Sequence, residues 1–256
     1  NLDPECSILQ PSNSSSTLVG SEIIFEGLAS DPDGTTTSLF VEWRSNHDGL
    51  IGTSTPSSSG TVLLTNNSLT TNTHTISMEV RDEEGGVCTA VSLIYIDSNP
   101  TISILEPLHG SIHNVGENIS FAAQVSDIED DSSDILVSWS SNTDGILHTE
   151  YSSSSGEALA STSNLSAGLH QIQAEAQDTK GFSADQQIEI YINTPPTAPS
   201  FSLSPTAPTS IDDVLVLGIS STDIDGDTLT YDLQWFRDGL STSNTSTPLS
   251  ASQTSK

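Results

Sequence analysis

An eleven-residue segment recurs in this chain at a fixed spacing, and it constrains the fold more than any other feature. LFVEWRSNHDG at 39–49 returns as ILVSWSSNTDG at 135–145, ninety-six residues later. Apolar and polar residues alternate in both copies, which predicts a β-strand with one face against a core. A large indole in mid-strand can fill the space between the two sheets of a β-sandwich. Trp43, Trp139 and Trp235 follow one another at this same interval, so we predict all three as structural core.

The repeat extends far beyond this segment and divides the chain into units. Residues 102–193 align with residues 6–97 without a gap, and the shared positions are mostly turn residues and inward-facing strand residues. We therefore predict an all-β fold of tandem immunoglobulin-like β-sandwiches, two complete and one partial. The predicted units are repeat one at 1–98, repeat two at 99–194, and the N-terminal strands of a partial repeat three at 195–256. Short junctions that contain proline predict a row of sandwiches with limited bending.

Alternation of apolar and polar residues also marks the other strands. In THTISMEV, every second residue from the His onward is suited to a core, which predicts a half-buried strand. Segments such as DEEGG turn the chain between strands. The predicted strands are 21–29, 39–44, 61–64, 74–80 and 87–96 in repeat one, and 229–236 in repeat three.

The charge of the chain excludes several classes of partner. The formal net charge is −29, with 34 acidic residues against five Lys and Arg. Such a chain has no basic surface to displace counterions from phosphate, so we expect no nucleic acid as a partner. Anionic lipid is disfavoured for the same reason, and no apolar run is long enough for membrane insertion of this segment. Strong acidity favours solubility in salt and the binding of cations, and we expect an extracellular or cell-surface location.

Two cysteines, Cys6 and Cys88, fall at the first and last strands of repeat one. These strands can lie side by side in an immunoglobulin-like sandwich, so a disulfide is geometrically reasonable, and two buried thiols are the alternative. A disulfide closing this loop would contribute on the order of 4 kcal/mol in the chain-entropy model and would indicate an oxidising compartment. Repeat two has Ile102 and Ala184 at these positions, so the fold does not require the bridge.

Longer stretches of the two repeats resemble a known family. TTNTHTISMEVRDEEGGVCTAVSLIYI at 70–96 and SAGLHQIQAEAQDTKGFSADQQIEIYI at 166–192 are similar to the closing half of polycystic-kidney-disease-type and related bacterial and archaeal immunoglobulin-like surface repeats. The DPDG loop at 31–34 and the DIDGD loop at 223–227 also fit that family, whereas DIEDD at 127–131 lacks its glycine. The resemblance implies a seven-stranded sandwich in secreted or surface proteins, used as a spacer, adhesive module or polymer unit.

Acidic loops are the main candidates for a ligand site. Each repeat carries carboxylates at alternate positions of one loop, and Ca²⁺ binds several such oxygens at close range. The alternative is Asx-turn chemistry, in which the first Asp accepts hydrogen bonds from the loop backbone. The possible Ca²⁺ ligands are Asp31, Asp33, Asp127, Glu129, Asp131, Asp223, Asp225 and Asp227, with Asp82 and Asp178 at the same end of their sandwiches. No other cofactor is expected.

Nothing in the sequence indicates catalysis. The hydrolase motifs G-x-S-x-G and H-E-x-x-H are missing from the sequence. The carboxylates recur on loops of the repeat, which favours a structural role over a glycosidase pair. His74 and His170 share one repeat position and are predicted to bond to the backbone at a corner, not to bind zinc. We therefore predict a protein that is not an enzyme.

Five N-x-S/T sequons indicate possible N-glycosylation. In a host that glycosylates secreted proteins, such glycans would cover strand edges. The candidate acceptors are Asn13, Asn66, Asn118, Asn164 and Asn244.

These patterns together favour a non-catalytic extracellular structural protein, either a surface stalk or a subunit of an extracellular filament or sheath. The predicted partners are further domains of the same protein or copies of itself, because a neighbouring chain could complete the partial repeat three by strand addition. The linker-like opening NLDPECSIL predicts that the segment lies within a longer protein or begins after a removed segment. The alternative function is an adhesin or a carbohydrate-binding accessory module of a larger secreted protein, for which Phe40, Tyr151 and Phe236 are the outward-facing aromatic candidates.

Overall fold

Two β-sandwiches of the same topology account for repeats one and two. The structure is a computed structural model, and it describes residues 1–209, 211–237 and 239–250. In the part of the chain that the structure describes, no helix has the length and apolar composition needed to span a membrane.

The first sandwich is built from eight strands in two sheets. The strands are β1 (Glu5–Gln10), β2 (Ser15–Leu18), β3 (Ile23–Ser30), β4 (Phe40–Ser45), β5 (Gly49–Ser54), β6 (Thr61–Asn66), β7 (Asn72–Arg81) and β8 (Val87–Asp97). One sheet has the order β1-β3-β6, and the other has the order β2-β8-β7-β4-β5. Only the pairing of β2 with β8 is parallel. A 3-10 turn, Thr36–Ser38, leads into β4.

The second sandwich repeats this arrangement strand for strand. Its strands are β9 (Thr101–Glu106), β10 (Ser111–Asn114), β11 (Ile119–Ser126), β12 (Leu136–Ser141), β13 (Gly145–Tyr151), β14 (Glu157–Thr162), β15 (Gly168–Gln177) and β16 (Ser183–Asn193). The sheets have the orders β14-β11-β9 and β10-β16-β15-β12-β13, with β10 parallel to β16. A 3-10 turn, Ser132–Asp134, precedes β12.

Each sandwich has eight strands where the family resemblance implied seven, because the first strand is split. Pro11 follows β1 and Pro107 follows β9. Proline has no N–H to continue a ladder. The chain then crosses to the other sheet, where β2 and β10 pair in parallel with the last strand of their sandwich.

Each sandwich encloses its own apolar core around a tryptophan. Trp43 is 0% exposed and Trp139 is 1% exposed. The Phe25 ring lies 5.6 Å from that of Trp43 between centroids, and the Phe121 ring lies 5.2 Å from that of Trp139. Aromatic pairs at this distance contribute about 0.5–1.5 kcal/mol beyond the area that they bury. The prediction of Trp43 and Trp139 as core is confirmed by this burial.

Cys6 and Cys88 form a disulfide that joins the two sheets of the first sandwich. Cys6 lies on β1 and Cys88 on β8, and their Cα atoms are 5.9 Å apart. The bridge therefore fastens one sheet to the other where β1 and β8 approach each other.

Repeat three differs from the prediction in its tryptophan strand. Its described strands are β17 (Ser200–Ser204), β18 (Leu215–Ser220), β19 (Phe236–Arg237) and β20 (Leu240–Ser241), in two two-stranded sheets. Residues 229–235 form no strand, and Trp235 is half-buried, so its prediction as structural core is wrong. In repeat one the tryptophan strand β4 lies between β5 and β7. In the described part of repeat three, no strand pairs with residues 229–235, and a strand needs neighbours to complete its hydrogen bonds. Residues 251–256 of this predicted unit lie outside the described chain.

Candidate metal centre at the first junction

All three acidic loops begin with an Asx turn. The side chain of the first Asp accepts a hydrogen bond from the N–H two residues later, which is the alternative that the sequence left open. The pairs are Asp31 with Asp33 at 3.2 Å, Asp127 with Glu129 at 2.8 Å, and Asp223 with Asp225 at 2.9 Å. This bonding uses one carboxylate oxygen of each first Asp and leaves the other oxygen available.

A second contact ties each acidic loop to the residues before its sandwich. The carboxylate at the third loop position accepts a hydrogen bond from a backbone N–H in the preceding linker. The pairs are Leu2 with Asp33, Ser98 with Glu129, and Thr194 with Asp225. Ser98 also donates its hydroxyl to Glu129 at 2.7 Å. The loop therefore holds the linker at a defined place in every repeat.

Three carboxylates meet where repeat one joins repeat two. Asp97 is the last residue of β8, Asp127 follows β11, and Asp178 follows β15. One oxygen from each lies within 4.8 Å of the others. Asp97 is 3% exposed and Asp178 is 6% exposed. Two ionised carboxylates about 5 Å apart repel by roughly 3 kcal/mol at an effective dielectric constant of about 20, so this cluster is costly without a cation or a proton.

Hydrogen bonds satisfy only part of the cluster. Oδ1 of Asp178 accepts from the N–H groups of Lys180 and Phe182 at 2.8 and 2.9 Å. Oδ2 of Asp178 and Oδ2 of Asp127 are buried and have no hydrogen-bond partner. Buried polar atoms without a partner are rare in proteins because desolvation then goes uncompensated.

Glu129 lies beside the cluster and interacts with Asp97. Burial raises the pKa of Asp97 to about 6, and the negative charges of Glu129 and Asp178 contribute to the rise. Burial acts in the same direction on Glu129, but hydrogen bonds from Ser98 and Thr71 outweigh it and lower the pKa of Glu129. Asp97 is therefore the member of this pair that takes up a proton first.

The corresponding site at the start of repeat one is satisfied by an amide. Asn1 occupies the repeat position of Asp97, and Asp82 that of Asp178. Nδ2 of Asn1 donates to Oδ2 of Asp82 at 3.0 Å, and this hydrogen bond lowers the pKa of Asp82. The position also holds an amide, Asn193, at the second junction. The first junction thus has a carboxylate where the other two repeats have an amide.

A cleft of about 420 Å³ opens between the two sandwiches next to the carboxylates. Its lining includes Tyr95 and Asp97 from repeat one and Glu129 and Lys180 from repeat two. The Lys180 ammonium lies 4.7 Å from the centre of the Tyr95 ring. The ion pairs found among the described residues do not include Lys180. The basic residue of the cleft therefore contacts an aromatic face of repeat one and forms no ion pair with the carboxylates.

The structure brings together only some of the residues predicted as Ca²⁺ ligands. Asp127 and Asp178 lie in the cluster, with Glu129 adjacent. Asp131 is exposed and outside it, because the chain turns at this point into the 3-10 turn Ser132–Asp134. The other predicted ligands are not in a cluster of this kind among the described residues: Asp31, Asp33, Asp82, Asp223, Asp225 and Asp227.

Asp97 is the ligand candidate that the sequence analysis missed. It ends a strand of repeat one, whereas its neighbours in the cluster belong to repeat two. The available signal was the repeat itself, since Asn1 and Asn193 stand at the positions equivalent to Asp97. The change from an amide to a carboxylate at this repeat position indicates that Asp97 has an interaction that Asn1 and Asn193 do not share.

The sequon asparagines differ in accessibility. Asn66 is half-buried, and its Nδ2 donates to the Ile51 carbonyl at 3.3 Å. Asn244 is also half-buried. The exposed acceptors are Asn13, Asn118 and Asn164.

Comparison with known proteins assigns the fold and no closer relationship. The sequence matches no family model, and a search of the curated proteins finds no similar sequence. The structure is similar to the I-band fragment I67–I69 from titin, with a TM-score of 0.56 and 14% identity over 96% of this chain and 83% of that chain. Domains 1–4 of Sidekick-1 give a TM-score of 0.45 and 17% identity over 74% of this chain and 48% of theirs. The chain is therefore an all-β protein of tandem immunoglobulin-like sandwiches.

Proposed function

We propose that this chain is a non-catalytic extracellular structural protein whose tandem sandwiches hold parts of an assembly at a fixed separation. It would act as a surface stalk or as a subunit of an extracellular filament or sheath. The observation that carries the proposal is the junction of the first two sandwiches. β8 ends at Asp97 and β9 begins at Thr101, so three residues connect the two units.

Contacts across this junction restrict its bending. Ser98 in the linker donates two hydrogen bonds to Glu129 of repeat two. Lys180 of repeat two lies over the ring of Tyr95 of repeat one. Short linkers that contain proline keep adjoining units at limited angles. A spacer needs this combination, because its length is useful only if successive units keep their direction.

Composition and bonding support a location outside the cell. Disulfides such as the bond between Cys6 and Cys88 form in oxidising compartments. A formal net charge of −29 keeps the surface hydrated in salt. We also propose that the repeats are of the polycystic-kidney-disease type, because the acidic loops at 31–34 and 223–227 and the closing strands resemble that family. Exposed sequons at Asn13, Asn118 and Asn164 would carry glycans in a host that attaches them.

Relaxation of ¹⁵N-labelled backbone amides in the full chain tests the proposal. We expect repeats one and two to share one anisotropic rotational diffusion tensor in buffered saline with calcium and magnesium. A matched variant with a Gly-Ser-Gly-Ser insertion between Ser98 and Asn99 should lose this common tumbling, because such linkers behave as flexible coils. Independent tumbling of the two sandwiches in the unaltered chain would overturn the proposed function.

Electron microscopy of the same sample distinguishes the two forms of the proposal. Regular filaments would identify a polymer subunit, and isolated rods would identify a stalk. Binding to an insoluble polysaccharide that is lost in Tyr151→Ala would instead support the carbohydrate-binding alternative, since Tyr151 is 62% exposed.

A further inference from the structure

We propose that the first junction binds one Ca²⁺ ion, held by Asp97, Asp127 and Asp178, with the Glu129 carboxylate beside the site. Ca²⁺ binds oxygen ligands at about 2.4 Å, so two ligands of one ion lie up to about 4.8 Å apart. The three carboxylate oxygens lie within 4.8 Å of one another. Their spacing therefore matches ligands that share one ion.

The buried oxygens provide an observation that is independent of the clustering of charge. Asp178 is more than nine-tenths buried, and its Oδ2 has no hydrogen-bond partner although its Oδ1 has two. Oδ2 of Asp127 and Oε1 of Glu129 are likewise buried and unpartnered. Loop turns and capping account for the bonded oxygens and leave these three unexplained. A cation held by the aspartates supplies the missing interaction for Asp178 and Asp127, and its charge offsets that of Glu129 beside it.

The repeats supply an internal comparison. At the start of repeat one, the Asn1 amide donates to Oδ2 of Asp82, the counterpart of the unpartnered Oδ2 of Asp178. At the first junction the same position holds Asp97, which cannot donate a hydrogen bond when ionised. When both carboxyls are ionised, an acceptor that faces another acceptor needs a cation between the two.

The ligand set favours Ca²⁺ over Mg²⁺. The three carboxylates come from three separate elements, and the adjoining cleft has room for water molecules as further ligands. Ca²⁺ accepts six to eight oxygens in irregular geometry, whereas Mg²⁺ demands a near-ideal octahedron and retains most of its water. Since all the ligands are carboxylates and water, softer metals that prefer imidazole or thiolate are not favoured.

This site would join the two sandwiches. Asp97 belongs to repeat one, and Asp127, Glu129 and Asp178 belong to repeat two. An ion held by both repeats would remove the repulsion between them and restrict their relative motion. The proposal does not rest on the proposed function, because the carboxylates can bind the ion whether or not the chain serves as a spacer.

Isothermal titration of the full chain with CaCl₂, at neutral pH and about 0.15 M NaCl, tests the site directly. We expect one site at the first junction, with a Kd of about 10⁻⁴–10⁻³ M or tighter, as in extracellular calcium modules. Asp97→Asn should weaken binding at least tenfold, because it removes one charged ligand and supplies an amide to Asp178. The matched control is Asp131→Asn, which removes an exposed carboxylate of the same loop and should bind Ca²⁺ as the unaltered chain does. MgCl₂ should bind more weakly.

Thermal unfolding gives a second readout, because Ca²⁺ should change which of the two chains is the more stable. With EDTA, Asp97→Asn should be at least as stable as the unaltered chain, because the substitution removes a repulsion. With saturating Ca²⁺, the unaltered chain should gain roughly 5 °C or more and the variant little. Asp178→Asn provides the test if Asp97→Asn does not fold. The proposal is overturned if no Ca²⁺ binds up to about 10 mM, ten times the weak end of that range, or if Asp97→Asn and the unaltered chain bind equally.

Discussion

Gly27 and Met78 in the first core correspond to Ala123 and Ala174 in the second, and the pairs show how the repeats fill the same space. A Cβ atom at Gly27 would lie 2.6 Å from Sδ of Met78 and 2.9 Å from the Ser7 carbonyl oxygen. In repeat two both positions carry a small side chain. The first repeat thus fills this space with one large and one absent side chain, and the second fills it with two small ones. The topology stays the same, as close-packed interiors require.

Replacing Gly27 with Ala should therefore destabilise the first sandwich. We expect a loss of about 1–3 kcal/mol in the free energy of unfolding, because the core is overpacked. Combining it with Met78→Ala should cost less than the sum of the two single substitutions, since the clash with sulfur is relieved. Urea denaturation followed by tryptophan fluorescence measures both, and Ala123→Gly is the control in repeat two. Additive losses would show that Met78 and residue 27 do not compete for space.

In both sandwiches, an Asp in the turn after the tryptophan strand accepts two hydrogen bonds from one residue. Asp48 accepts hydrogen bonds from the N–H and hydroxyl of Thr70 at 2.9 and 2.8 Å, and Asp144 accepts the same pair from Ser166. Burial acts to raise the pKa of Asp48, but these hydrogen bonds and the nearby His74 outweigh it and lower the pKa. The pKa of Asp144 is lowered in the same way.

These lowered pKa values predict an acid-sensitive contribution to stability. A carboxyl whose folded pKa lies below its unfolded value of about 3.9 stabilises the fold above that value and loses its effect as the pH falls through the folded pKa. The double variant Asp48→Asn, Asp144→Asn should melt several degrees below the unaltered chain near pH 6, and the difference should shrink by about pH 3. Calorimetry at both pH values measures it. A difference that is independent of pH would contradict the assignment.

At the scale of elements, corner histidines hold the turns of both sandwiches as the sequence predicts. Nε2 of His74 lies 2.7 Å from the Thr70 carbonyl oxygen, and Nε2 of His170 lies 2.7 Å from that of Ser166. Both imidazoles are fully buried. The division of the first strand was less predictable from the sequence. A proline can interrupt a strand, but only the tertiary structure shows that the two halves join different sheets.

At the scale of elements, the disulfide between β1 and β8 should stabilise the first sandwich alone. Replacing both Cys6 and Cys88 with Ala should destabilise the first sandwich by roughly 4 kcal/mol in the chain-entropy model, since the bond closes a loop of 82 residues. The unfolding of the second sandwich should not change. Calorimetry that resolves two transitions measures the effect on each.

The matched control for this prediction introduces the same bridge into repeat two. Ile102→Cys with Ala184→Cys places a cysteine pair at the equivalent positions of β9 and β16. It should raise the melting temperature of the second sandwich under oxidising conditions and have little effect under reducing ones. Equal effects on both sandwiches from either pair would contradict the assignment of separate cores.

At the scale of the whole molecule, the cores of the first two sandwiches include none of the described residues of repeat three. The buried residues of these cores run from Ile23 to Ile96 and from Ile119 to Ile192. Removing 195–256 should therefore leave their melting temperatures within about 2 °C of the full chain, since surface changes away from a core have small effects. Calorimetry of residues 1–194 measures this. A large drop in the transition of repeat two would show that repeat three supports it.

Much of the fold could be predicted from the sequence, whereas the candidate site could be predicted only in part. The strand β7 and the tryptophan strands β4 and β12 follow from alternation, because successive side chains of a strand point to opposite faces. The same pattern failed at 229–235, where Trp235 is half-buried. Alternation shows which face a strand would bury and does not supply the neighbouring strands that complete its hydrogen bonds.

The sequence by itself determined the repeat, the sandwich class and the acidic loops, because spacing and alternation are local properties of the chain. Only the tertiary structure decided that Asp97 meets Asp127 and Asp178 at the first junction. Residues far apart in the sequence come together there because one strand ends where the loops of the next sandwich begin. Burial of their carboxylate oxygens and the lack of hydrogen-bond partners arise from packing between repeats, which no pattern within a single repeat can encode.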